Sequence, residues 1–112
     1  MRSQPESKTT RNKMTYNTDK YDRNFDLPTR SAVWRKGKIV ANYSADSIRM
    51  DACGKLMSWS AYGDTSSILG WEIDHLFPKA KGGGDNLDNL QPLQWRNNRT
   101  KGDDYPEWSC AA

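Results

Sequence analysis

Between Trp71 and Gly102 the chain reads WEIDHLFPKAKGGGDNLDNLQPLQWRNNRTKG, and the punctuation of this stretch restricts the fold more than any other feature. LGWEIDHLFP is predicted as a strand that stops at Pro78, because proline cannot donate to a ladder. KAKGGGDN is a wide glycine turn. LDNLQPL returns as a short strand or extended segment. QWRNNRTKG is a short helix closed by Gly102, a favoured position just past a helix end. Along the first strand Ile73 and His75 face one way, and Glu72, Asp74 and Leu76 the other.

The upstream half is less sharply marked. AVWRKGKIV is predicted as two short strands turned at Gly37. SADSIRMDACGKLMSWSAYG holds a turn or helix start at Ser44–Ser47, then a second strand–turn–strand unit pivoting at Cys53-Gly54; GDTSS is a loop. A chain of 112 residues makes one domain with a core on the small side. Five Trp, five Tyr and two Phe supply its bulk. The expected class is α+β, a single small domain with short antiparallel strands.

Residues 1–30 are polar with almost no apolar periodicity, and are read as a flexible basic arm ahead of a domain at 31–112. Residues 1–31 hold seven Lys/Arg against four Asp/Glu, whereas 32–112 hold ten of each. The net charge of +3 therefore lies in the arm, which argues only mildly for a nucleic-acid partner. No apolar run approaches the roughly 20 residues of a membrane span, and the start shows no secretory signal. The expectation is an intracellular protein of the cytoplasm or nucleoid, without a membrane partner. Cys53 and Cys110 can bridge or stay reduced, and an intracellular setting favours two free thiols.

His75 is the chain's single histidine and directly follows Asp74. Imidazole titrates near neutrality and serves as a base; Asp74 and Asn98 offer hard oxygen donors of the kind that suit Mg²⁺ or Mn²⁺. Asn97 stands beside Asn98, which leaves the register open by one residue. Hydrolysis of a phosphodiester needs charge neutralisation and an activated water, which a cation and a histidine together supply. Neighbouring strand residues point oppositely, so Asp74 and His75 can share this work only if the strand bends or a helix packs beside it. Glu72 shares the face of Asp74 and is read as a solvated or ion-paired glutamate. Lys79, Lys81, Arg96, Arg99 and Lys101 cluster around the stretch as candidate phosphate contacts.

The order Asp74-His75, Pro78, Gly82-Gly83, Asn89-Leu90, Gln-Pro-Leu and Asn98-x-x-Lys101 resembles the HNH endonucleases and their ββα-metal motif. The resemblance implies His75 as general base, Asp74 and Asn98 as ligands of one divalent cation, and Asn89 as the brace of the loop that holds the histidine. It also implies Lys101 as a phosphate contact, and cleavage leaving a 5′-phosphate. Many such domains carry two Cys-x-x-Cys knuckles that bind a structural zinc. Met50-x-x-Cys53 and Gln94-x-x-Asn97 stand there instead, three ligands short of the four zinc takes. No structural zinc is expected, and its stabilising role should pass to packing by Trp71, Trp95 and other aromatics.

The reading is a metal-dependent DNA endonuclease, with RNA admitted as a substrate. One site cuts one strand per engagement, so a double-strand break would take a homodimer or successive events. Two alternatives stand beside it: a non-catalytic nucleic-acid-binding module on the same scaffold, and a nuclease toxin or effector domain.

Overall fold

The computed structural model describes residues 15–112. Residues 1–14 of the expected arm lie outside the described residues. In chain order the elements are helix α1 (Leu27–Trp34) and strands β1 (Lys38–Ile39), β2 (Ile48–Met50), β3 (Leu56–Ser58), β4 (Trp71–His75) and β5 (Leu90–Gln94), then helix α2 (Trp95–Lys101). The first three strands form an antiparallel sheet in the order β1-β2-β3, and β4 pairs with β5 as an antiparallel ribbon. The class is α+β, as expected, and β4, β5 and α2 make the ββα unit.

One upstream expectation is corrected. Ala32–Trp34 belong to α1 and not to a strand. Asp26 caps the helix by accepting from Thr29 N at 2.9 Å. Pro28 sits in the first turn, where its missing N–H has no intrahelical use. Val33 and Trp34 then turn inward, so tertiary burial stabilises a helix too short to persist alone. The second expected pivot stands: β2 and β3 turn through Gly54, whose φ of 81° favours glycine.

The core gathers Phe25, Val33, Trp34, Met57, Trp71, Ile73 and Leu90, with Trp59 and Tyr62 packed against it. Trp71 is its pivot, its ring centroid 5.0 Å from that of Trp34 and 4.9 Å from that of Tyr62. Because Trp71 opens β4, this packing fixes where Asp74 and His75 emerge at the strand's other end. Every residue of β4 is buried, so both of its faces are covered.

The rims of the ribbon are occupied. Ile73 lies opposite Pro92, and its N–H points outward to Asn17 Oδ1 at 2.8 Å. The Ile73–Pro92 pair is therefore one that exchanges no ladder bonds, and the proline costs the ladder nothing. Trp71 O accepts from Gly63 N at 2.8 Å on the same rim. On the β5 rim Gln94 N donates to Asp51 Oδ2 at 2.9 Å, and Leu90 O accepts from Lys36 Nζ at 2.8 Å. No helix among the described residues is long and apolar enough to cross a membrane.

Candidate active site

The cleft at the C-terminal end of β4 is lined by Asp74 and His75 from the strand and Asn98 from α2, with Tyr16, Asn17 and Lys79 around them. Adjacent strand residues reach one cleft because α2 packs beside β4 while the chain bends sharply after His75. Leu76 N donates to Asn89 O at 2.8 Å at that bend.

Asp74 accepts from Gln91 Nε2 at 3.0 Å and lies 3.3 Å from Lys101 Nζ, both through Oδ2. Its Oδ1 is engaged by neither. Burial pushes the Asp74 carboxyl above the usual carboxylate range, against the opposing pull of Gln91 and Lys101. Asn98 donates from Nδ2 to Glu72 Oε1 at 2.8 Å, which orients the amide and leaves Oδ1 as its lone-pair donor. Glu72 is ion-paired, as expected, with Arg99 at 2.7 Å.

A divalent cation of the Mg²⁺ or Mn²⁺ kind suits this donor set: one under-compensated carboxylate oxygen and one amide oxygen, both hard, on one cleft. Among the described residues no group of three or more His, Cys, Asp or Glu side chains is gathered as a metal cage.

The loop after β4 is folded back tightly on itself. Gly83 N donates to Pro78 O at 2.9 Å, and a Cβ on Gly83 would stand 1.7 Å from Phe77 O, so no other residue fits there. Gly82 has φ 101°, whereas Gly84 has open space around it. Two of the three glycines are thus dictated by geometry. Asn89 ties the loop's two ends together: its Oδ1 accepts from Phe77 N at 2.8 Å, and its Nδ2 donates to Phe77 O at 3.1 Å and Gly84 O at 2.8 Å. The loop so closed carries Asp85, whose Oδ1 lies 2.8 Å from His75 Nε2. Sequence reading passed over Asp85; its one signal was an acid placed directly after the glycines.

The five cations differ in their surroundings. Lys81 and Arg96 are exposed, with the Arg96 guanidinium 5.3 Å from the centroid of the Trp95 ring. Lys79 Nζ contacts Thr18 Oγ1, Asp19 O at 3.0 Å and Asp22 Oδ1 at 2.9 Å. Arg99 lies 4.1 Å from the centre of the Tyr16 ring besides pairing with Glu72. Lys101 is buried, its ammonium held by His75 O at 3.0 Å and by Asp74. Residues 15–23 therefore run beside the cleft, with Lys20 N donating to Asp85 Oδ1 at 3.1 Å. No sequence periodicity marked this segment.

The far side of α2 carries one further correction and one feature the sequence did not reveal. Cys53 and Cys110 are joined in a disulfide, with Cα atoms 5.9 Å apart, and are not free thiols. At the knuckle positions Asp51 adds a polar fastener to the aromatic packing expected of Trp71 and other aromatics. Its Oδ1 accepts from Cys53 N and Lys55 N, and its Oδ2 from Gln94 N and Asn97 Nδ2, each at 2.9 Å. Asn97 Oδ1 in turn accepts from Ala111 N at 2.8 Å. One buried carboxylate and one covalent bridge thus tie the β2–β3 turn, the start of α2 and the C-terminal tail together. Trp95 donates from Nε1 to Ser67 O at 2.8 Å.

Residues 52–104 match the family model described as HNH endonuclease, while no curated protein and no solved structure matches the chain.

Proposed function

We propose, from the match of residues 52–104 to the HNH endonuclease family model, that the chain hydrolyses phosphodiester bonds of DNA with one divalent cation. The observation that carries the reading is the meeting of Asp74, His75 and Asn98 on one cleft, with an oxygen of Asp74 and one of Asn98 turned from their protein partners. These two oxygens would hold the cation. When bound, it neutralises charge on the phosphate and on the leaving 3′ oxygen. His75 takes a proton from the attacking water. Asn89 keeps the imidazole in place by closing the loop behind it. Lys101 offsets the Asp74 charge from inside. Lys81 and Arg96, exposed to solvent, meet backbone phosphates, and Lys79 and Arg99 do so at the cleft's edge.

The test is cleavage of supercoiled plasmid with Mg²⁺ or Mn²⁺, with and without EDTA, beside His75→Ala. Wild type should nick the plasmid only with free cation. His75→Ala should lose roughly 10²- to 10⁴-fold in rate, the range a general base contributes, while keeping its thermal midpoint. Wild-type cutting by His75→Ala removes the histidine from the base role. Binding of DNA without cleavage, with or without cation, transfers the scaffold to the class of non-catalytic binding modules.

A further inference from the structure

We infer that Asp85 is a positioning residue for His75: its carboxylate holds the ring with the proton on Nε2, leaving the Nδ1 lone pair as the base. The inference rests on the nuclease reading for its catalytic part, and on geometry alone for the tautomer. Asp85 Oδ1 stands 2.8 Å from His75 Nε2, and an ionised carboxylate can only accept. In the neutral ring the proton therefore lies on Nε2 and the free lone pair on Nδ1.

The carboxylate is not a loosely waving surface group. Asn89 grips Gly84 O, one residue before it, and Phe77, two residues after the histidine. Gly83 seals the loop against the backbone of Phe77 and Pro78. Lys20 N donates to both oxygens of Asp85, at 3.1 and 3.3 Å. His75 itself is 6 % exposed and lies under Phe25, with ring centroids 6.0 Å apart. When Nδ1 accepts a proton the ring becomes cationic, and a fixed anion on its other nitrogen stabilises that state. The same logic governs the carboxylate behind a histidine base in hydrolytic triads. A merely structural ion pair would fix the same tautomer but leave turnover untouched when it is removed.

His75 is the only histidine, so ¹⁵N-histidine labelling of the full chain yields one pair of ring nitrogens to follow by NMR. In the neutral ring, wild type should show a protonated Nε2 and an unprotonated Nδ1. Asp85→Ala should show a mixture of tautomers, with kcat for plasmid nicking lowered roughly 10- to 100-fold and KM within about 2-fold. Asp85→Glu should restore part of both. Because Asp85→Ala removes a loop contact, Asp85→Asn is measured beside it; it keeps the size, loses the charge, and should also lower kcat. Unchanged tautomer and kcat in both the Ala and Asn variants overturn the inference. A wild type that shows the fixed tautomer yet never cuts DNA supports the contact and sinks the nuclease reading instead.

Discussion

Asn97 and Asn98 are neighbours on α2, both buried, and they do opposite things. Asn97 is engaged at both ends of its amide, by Asp51 and by Ala111 N. Among the described residues Asn98 is engaged at its nitrogen alone, by Glu72. Two of the buried carboxylates, Asp51 and Asp74, divide in the same way. Asp51 accepts four hydrogen bonds through both oxygens, whereas Asp74 meets its two partners through one. A buried polar group with every partner present is a structural fastener. One left short of partners carries a desolvation cost that a ligand can relieve. The two sides of one short helix thus separate the part that holds the fold from the part proposed to hold a cation.

The contrast can be broken first at the disulfide. Cross-linking across a separation of 57 residues restricts the unfolded chain by about 4 kcal/mol. Cys110→Ser should therefore lower the thermal midpoint by roughly 15 °C, with cleavage at low temperature preserved. An unshifted midpoint in calorimetry, or equal loss of nicking at 10 °C, would falsify the division of labour.

Next in size is the pair of aspartates. Asp51→Ala strands several buried donors and should cost about 3 kcal/mol in urea unfolding. Asp74→Asn keeps an acceptor for Gln91 and Lys101 and should move stability by less than about 1 kcal/mol, yet lose cation-dependent nicking by at least roughly 10²-fold. If the two variants prove equally destabilised, the distinction drawn between them does not hold.

The asparagines sharpen the point at the smallest scale. Asn97→Ala should cost about 2 kcal/mol and leave turnover intact. Asn98→Ala should weaken Mn²⁺ binding, read by titration calorimetry, at a smaller stability cost. Reversed outcomes would shift the ligand register by one residue to Asn97.

What could be read in the sequence was local. Pro78, the glycine run and Gly102 each punctuate the chain within a few residues, so β4, the turn, β5 and α2 were recoverable, along with the placement of Asp74, His75 and Asn98 on them. What escaped was distant or brief. Helix α1 spans eight residues and buries only Val33 and Trp34, too little for a periodic signal. Asp51 reaches partners 43 and 46 residues away, and nothing local in RMDACG reveals them. The two cysteines admitted a bridge, but the expected compartment argued against it, and compartment is no guide to distance. Asp85 was visible as an acid, not as a neighbour of the imidazole.

The ribbon of β4 and β5 bears on how such a protein would treat a duplex. Asn17 caps one margin, and on the other Pro92 brings no donor while Gln94 N is already taken by Asp51. A second molecule arriving alongside meets an interrupted row of hydrogen-bonding groups, so strand-to-strand stacking into larger assemblies is discouraged. Two cuts on opposite strands would then call for contact through other surfaces or for repeated visits by single molecules.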